Sequence, residues 1–280
     1  MKILAFSDSH ENAVAVEAFL KRISSIDFVP DVFVSAGDIG PRSTVGIFQS
    51  LSAMDRPILY VWGNHILHYP PSVAEECVHE LAPIPDATAL ADRHVQIGGW
   101  TFVGQDAWTD FVDDPKDPER YYDLRRKTDG LLPHSTILVT HHAPLGVFDC
   151  GHSYPLRSYR DGQGLLHAGS RALRRLVDEF GPRIHIFAHC HSDGSRHAMI
   201  GGTLFSNVCH LERITKSGRY GITGSFAIID TDSLGVTTYH LSCYAPRICS
   251  GCGSRNYIVY KSCVNCIKGV SGLLQREELP

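Results

Sequence analysis

The chain has 280 residues, with 26 Lys and Arg against 30 Asp and Glu, for a net charge of -4 at pH 7. That balance gives no general pull toward nucleic acid or an anionic membrane, and a 43% hydrophobic fraction is ample for the core of one large domain or two smaller ones. No apolar run approaches the ~18 residues needed to span a bilayer.

The first strand, Ile3 to Phe6, ends at Ser7-Asp8-Ser9-His10-Glu11. The polar set arrives too early for the apolar region of a secretory leader, so a cytosolic (cytoplasmic) chain is expected. Asn12 to Ser24 places Val14, Ala18, Leu20 and Ile23 at roughly helical spacing. A buried strand then starts at Asp31 and stops at Ala36-Gly37-Asp38, followed by a helix over Thr44 to Met54 and a strand over Pro57 to Trp62. Pro70-Pro71-Ser72 opens a helix to about Leu81, with proline early, where it suits an N-terminus. This alternation predicts right-handed parallel crossovers.

Val95 to Ile97 and Trp100 to Val103 flank Gly98-Gly99 and read as a hairpin. Asp106 to Pro118 is polar and proline-broken, and is expected to form a loop at the rim of the site. A strand at Thr136 to Val139 leads into Thr140-His141-His142, and residues 145 to 168 show little periodicity. Ser170 caps a helix to about Phe180. A strand from Arg183 runs into Ala188-His189-Cys190-His191, and further strands are expected near Arg196 to Ile200, Ser225 to Ile229 and Gly235 to His240. There is no short internal repeat and no low-complexity tract.

Sixteen histidines stand out in this composition, and several fall at the carboxyl ends of predicted strands, the edge that lines the ligand crevice of an open α/β sheet. The donors gathered there are Asp8, His10, Asp38, Asn64, His141, His189 and His191. Seven oxygen and nitrogen ligands exceed the needs of one tetrahedral ion but suit two ions ~3.5 to 4 Å apart that share a bridge, an arrangement that holds an attacking oxygen in line with phosphorus. Asp38, at the end of a rigid strand beside a glycine, is placed to be that bridge. Asn64 adds an oxygen without adding negative charge. Each histidine must bind as neutral imidazole, held by a hydrogen bond from its other nitrogen.

Asp8/His10, Gly37-Asp38, Gly63-Asn64-His65, His141 and His189/His191, in that order, make the chain resemble the calcineurin-like metallophosphoesterases over about residues 1 to 242. The resemblance implies an α/β fold, a four-layer α/β/β/α sandwich. It implies one metal on Asp8, His10, Asp38 and His191 and a second on Asp38, Asn64, His141 and His189. The activity implied is hydrolysis of a phosphomonoester or phosphodiester by in-line attack of a metal-bridging hydroxide, with His65 as the catalytic histidine that stabilises the transition state or protonates the leaving oxygen. Manganese, iron, zinc or nickel all suit these donors.

The chain departs from the family pattern twice. Ile66 stands where the family has an acidic residue to orient the histidine, so another group must orient His65. Ala188 stands where the family has glycine before His189, which requires a backbone that is not left-handed there; otherwise the strain costs about 1 kcal/mol. His142, His167 and Asn207 are candidate substrate contacts, with His152, Arg157 and His210 as further polar groups in the same regions.

The nine cysteines divide into a scattered set and a patterned one. Cys249 and Cys252, then Cys263 and Cys266, form two CxxC pairs ten residues apart. Such pairs read as a tetrahedral structural zinc site, similar to a zinc ribbon, over residues 243 to 280. So short a tail would draw its folding energy from the metal. Arg247, Arg255, Lys261, Lys268, Tyr257 and Tyr260 could contact phosphates and stack on nucleic-acid bases, and read equally as a solvated face. The rival to an enzyme is a non-catalytic scaffold of the same fold, with the ribbon as its module for a protein or nucleic-acid partner.

Overall fold

A computed structural model describes residues 1–91, 93–107, 117–151, 159–212 and 224–241, with the backbone of 247–248 and 255–256. In chain order the strands and helices are β1 Lys2–Phe6, α1 Ala13–Ile23, β2 Val32–Ser35, α2 Pro41–Ser52, β3 Ile58–Tyr60, α3 Pro71–Leu81, β4 Ala87–Ala89, β5 Val95–Ile97, β6 Trp100–Gln105 and α4 Asp117–Thr128. They continue with β7 Thr136–Thr140, β8 Tyr159–Arg160, β9 Leu166–His167, α5 Arg171–Phe180, β10 Ile184–Phe187, β11 His197–Ile200, β12 Thr203–Asn207, β13 Ser225–Asp230, β14 Gly235–His240, β15 Arg247–Ile248 and β16 Arg255–Asn256.

Two six-stranded sheets carry the fold, in the orders β14-β13-β1-β2-β3-β4 and β11-β12-β10-β7-β6-β5. The period-two alternation of each strand decides what it packs against. Ile3 and Ala5 of β1, Val32 and Val34 of β2, Ile137 and Val139 of β7, and Ile184 and Ile186 of β10 meet in one core between the sheets. Leu4, Phe6 and Phe33 face the other way, onto Phe19 of α1, Ile47, Phe48 and Leu51 of α2, and Leu81 of α3. On the far side, Val103, Leu138 and Phe187 meet Leu124 of α4 and Leu173 and Leu176 of α5. The result is the four-layer α/β/β/α sandwich. Burial of each such aliphatic or phenyl side chain contributes about 1.5–3 kcal/mol.

Local chemistry sets the element ends. Asn12 accepts hydrogen bonds from the amides of Val14 and Ala15, and Ser170 accepts from that of Leu173, each satisfying donors that a helix N-terminus leaves open. The second helix starts three residues before Thr44, because Pro41 takes its first turn. Gly98 and Gly99 both have positive φ, as the tight turn between β5 and β6 requires.

Three features differ from the sequence expectations. Short β4 extends the first sheet, and α4 follows the stretch read as a loop. β12 lies beside β10, across a Gly201-Gly202 turn from β11. The closing strands β13 and β14 are the antiparallel pair expected from the sequence, and β13 pairs with β1 to complete the first sheet. Residues 108–116, most of the predicted rim loop, lie outside the described residues, as do His152, Arg157, Cys249, Cys252, Cys263 and Cys266. β15 and β16 pair antiparallel on either side of the segment that contains Cys249 and Cys252. No helix among the described residues is long and apolar enough to cross a membrane.

Candidate metal centre

Asp8, Asp38, Asn64, His141 and His189 each follow one of the parallel strands β1, β2, β3, β7 and β10, so the crossovers bring them to a single edge. Backbone bonds lock the turns together: the Asp8 amide donates to the Gly37 carbonyl (3.0 Å), the His10 amide to Asp38 (3.1 Å), and the Ala188 amide to His141 (2.9 Å). Asp8, His10, Glu11, Asp38 and His189 all have positive φ, between 46° and 68°. Non-glycine residues persist there only where the surroundings over-determine them. Gly63 packs so closely that a Cβ would stand 1.9 Å from Asp38 Oδ1, which makes glycine obligatory.

Asp38 lies at the middle of the group. Its Oδ2 stands 3.2 Å from His141 Nε2, 3.7 Å from His10 Nε2 and 3.8 Å from His65 Nε2. Its Oδ1 accepts the His65 amide at 2.8 Å. His141 Nε2 also meets Asn64 Oδ1 at 2.9 Å, while its Nδ1 meets the Ala36 carbonyl at 2.8 Å. The carbonyl requires a proton on Nδ1 and leaves Nε2 as the inward donor atom, the tautomer a metal ligand needs. On the other side, His191 Nε2 is 3.0 Å from Asp8 Oδ1, and His10 Nε2 is 3.7 Å from the same oxygen.

These residues fit a pair of cations. Asp8 and Asp38 are buried, and their ion partners among the described residues are imidazoles. Two triads with ligand atoms within 4.8 Å of one another, Asp8/His10/His191 and Asp38/His141/His189, lie side by side; a third, His10/Asp38/His65, overlaps both. Without ions, protons supply the positive charge. Burial pushes His141 down, but Asp38 and Asp8 raise it to about 9; burial likewise opposes, and Asp38, Glu212 and Asp8 overcome it to raise, His10 to about 10. Burial pushes Asp8 and Asp38 up, but the surrounding histidines hold both well below the carboxylate range. Burial, with His142 and His141, drives His189 well below the usual histidine value. Divalent ions would displace the protons from His10 and His141.

The calcineurin-like phosphoesterase family matches residues 1–193. The chain belongs to that family. One solved structure 16% identical covers 86% of this chain and 98% of its own, with a TM-score of 0.62. The crystal structure of TT1561 of Thermus thermophilus is 18% identical over 86% of this chain and 98% of its own, with a TM-score of 0.58. An archaeal phosphodiesterase is 12% identical, covering 86% and 99%, at a TM-score of 0.47. None of the curated proteins compared with the chain matches it.

The two departures from the family pattern acquire a geometry. Ala188 is absent from the positive-φ residues, and the left-handed position is His189 itself (φ 68°), so the alanine is unstrained. With Ile66 in place of a carboxylate, His65 lies on a 3-10 turn between the His10 ring at 4.4 Å and the His68 ring at 5.0 Å. Burial lowers its pKa, with Asp38 opposing.

The three candidate substrate contacts differ among themselves. His142 is buried, its ring 4.9 Å from that of His189. The Asn207 amide is committed to the backbone: Nδ2 donates to Phe148 and Cys190, and Oδ1 accepts from Cys209. His167 is clamped between Asp149 (3.0 Å) and Asp161 (3.2 Å), fastening the β8–β9 hairpin to the preceding loop.

Sequence reasoning passed over Cys209 and Glu212. Cys209 Sγ donates to Asp8 Oδ2 at 3.2 Å, and Glu212 Oε2 stands 3.7 Å from His10 Nδ1. No spacing rule links them to Asp8-Ser9-His10, some 200 residues away; the pairing of β1 with β13 brings the segment before β13 over that turn.

Proposed function

We propose that the chain is a dinuclear-metal phosphoesterase that hydrolyses a phosphodiester or phosphomonoester. The observation that carries this reading is the gathering around Asp38 of donors from four other strand ends, with His141 at 3.2 Å and His10 at 3.7 Å. Asp8, His10, Asp38 and His191 would hold one ion, and Asp38, Asn64, His141 and His189 the other. Bound there, divalent manganese, iron, zinc or nickel would supply Lewis acidity and an activated water for in-line attack on phosphorus.

The chain's own groups then have separate tasks. Asn64 completes the donor set without repelling an anionic ester. The Ala36 carbonyl keeps His141 in one tautomer. His65, at the rim with 40% of its side chain exposed, would hold a proton at a ring nitrogen and pass it to the departing oxygen. Its lowered pKa makes that proton more acidic and the protonated fraction smaller at neutral pH.

A structural zinc on Cys249, Cys252, Cys263 and Cys266 belongs to the same proposal, and the β15–β16 pair bracketing the first two cysteines supports it. A cytosolic location belongs to the proposal on residue pattern alone; nucleic-acid contact through the tail stands as one alternative beside a solvated face.

The test is hydrolysis of bis-p-nitrophenyl phosphate and p-nitrophenyl phosphate with added Mn²⁺, comparing wild type with Asp38→Ala. Turnover that disappears in the variant is expected, and the diester-to-monoester ratio narrows the substrate class. A wild-type protein that binds the metal and turns over neither ester would favour the scaffold. His65→Ala should retain the metal and lose about 10²–10⁴-fold in rate, most on esters with poor leaving groups. Equal losses on activated and unactivated esters would remove the acid role.

A further inference from the structure

We propose that the segment Cys209–Glu212 is the outer support of the first ion's site, with Glu212 the positioning residue for His10. This rests on the two-ion reading above. The segment follows β12 and lies across the turn after β1, where the Leu211 amide donates to the Ser7 carbonyl at 2.8 Å and the Glu212 amide to that of Asp8 at 3.0 Å. The Ser225 amide donates to the His210 carbonyl at 2.9 Å and ties the segment to β13.

Three of its four side chains each back a different ligand. Cys209 Sγ donates to Asp8 Oδ2 at 3.2 Å, so the other oxygen, Oδ1, is the one that faces His191 at 3.0 Å. The His210 ring stacks on His191, with centroids 4.7 Å apart and planes inclined by 18°. Glu212 faces Nδ1 of His10 at 3.7 Å, while Nε2 of that ring faces Asp8 and Asp38, each at 3.7 Å.

Glu212 is only 8% exposed, and its Oε2 has no hydrogen-bond partner among the described residues. A buried carboxylate oxygen without a donor is costly, and the group that faces it is the ring nitrogen of His10. A proton on Nδ1 directed at Glu212 leaves the Nε2 lone pair for a metal, the carboxylate–histidine pairing that fixes ring orientation and raises ligand basicity. Nothing equivalent is needed on the other side, where the Ala36 carbonyl does this for His141. The segment lies beyond residues 1–193, the part matched by the family. Cys209–Glu212 therefore sets the affinity of one ion and leaves the other alone.

Mn²⁺ is the probe, because thiolates such as those of the tail bind it poorly compared with oxygen and imidazole donors. Binding to the full chain is measured by calorimetry for wild type, Glu212→Ala and Glu212→Gln, with metal-free melting temperatures alongside. The expected result is a loss of about 10–100-fold in affinity for one of two ions in Glu212→Ala, with the second unchanged. Glu212→Gln keeps an acceptor for Nδ1 without the charge and should fall between. Unchanged affinity at both sites would overturn the proposal, as would an equal weakening of both that follows a drop in the metal-free melting temperature. A wild-type chain that binds fewer than two Mn²⁺ would defeat the two-ion reading and this inference with it.

Discussion

His141 and His10 both turn Nε2 toward Asp38, yet they are held in different ways. His141 is fully buried, bonded through Nδ1 to a backbone carbonyl at the end of β2. His10 keeps 17% of its side chain exposed, sits on a left-handed residue and is faced through Nδ1 by a side chain, Glu212. Their neighbours follow suit: Asn64 and His189 are buried, while His191 has 23% of its side chain exposed. A backbone partner cannot change rotamer, so the Asn64/His141/His189 half is preformed by the sheet. The Asp8/His10/His191 half depends on side chains supplied by a later segment, and it can vary without disturbing the core.

The largest expected effect comes from removing the residue the halves share. Asp38→Ala should lower hydrolysis by at least about 10²–10³-fold, the scale for one preorganised stabilising group, and should reduce Mn²⁺ binding at both sites. Loss of one ion with retention of the other would show that Asp38 belongs to one half only.

Next, the halves should differ in what they contribute to the metal-free fold. His141→Ala orphans the buried Ala36 carbonyl, a loss of about 1–3 kcal/mol from that group alone, and also takes a partner from Asp38, whereas His191→Ala takes one partner from Asp8 at a rim position that water can reach and should lose less. Urea unfolding of the two metal-free variants checks this, and equal losses would erase the distinction.

The pH dependence sharpens it further. His10 and His141 are raised to about 10 and about 9, so their stabilising contribution is complete below the unfolded value of about 6.5 and is lost as pH rises toward 9 and 10. Asp8 and Asp38 are depressed, so theirs is present above about 3.8 and is lost as pH falls through their lowered values. Burial also holds His189 and, on β10, His185 neutral, His185 down to about 3, so stability falls as pH drops below about 6.5. Metal-free melting temperature should therefore peak near pH 6.5 and decline on both sides. Saturating Mn²⁺ should flatten the alkaline decline, because the ions replace the protons on His10 and His141. An alkaline decline unchanged by metal would separate those protons from the site.

The smallest effect expected is at Ala188. Because its backbone is not left-handed, Ala188→Gly removes no strain and adds chain entropy to the unfolded state, so it should lower stability by about 0.5–1 kcal/mol. A rise in melting temperature would mean that the family glycine is needed there after all.

The apolar runs Ile3 to Phe6, Asp31 to Ser35 and Thr136 to Val139 were enough to locate parallel strands, and the polar residues after each were enough to place the donors at the carboxyl ends. The elements missed had weaker local signals. α4 buries little beyond Tyr121 and Leu124 on an otherwise charged surface, and β4 is three residues long. β12 could have been found from Gly201-Gly202, a tight-turn pair after the expected β11. Cys209 and Glu212 were beyond reach for a different reason: their relation to Asp8 and His10 exists only after β13 pairs with β1. Sequence shows which groups can bind a metal; the groups that steady them are chosen by the packing.

The central claim is two ions sharing Asp38, and anomalous diffraction from crystals grown with Mn²⁺ tests it most directly. The account predicts two peaks beside Asp38, one reached by Asp8, His10 and His191 and the other by Asn64, His141 and His189. A single peak, or none at these residues while Mn²⁺ is in excess, would contradict it.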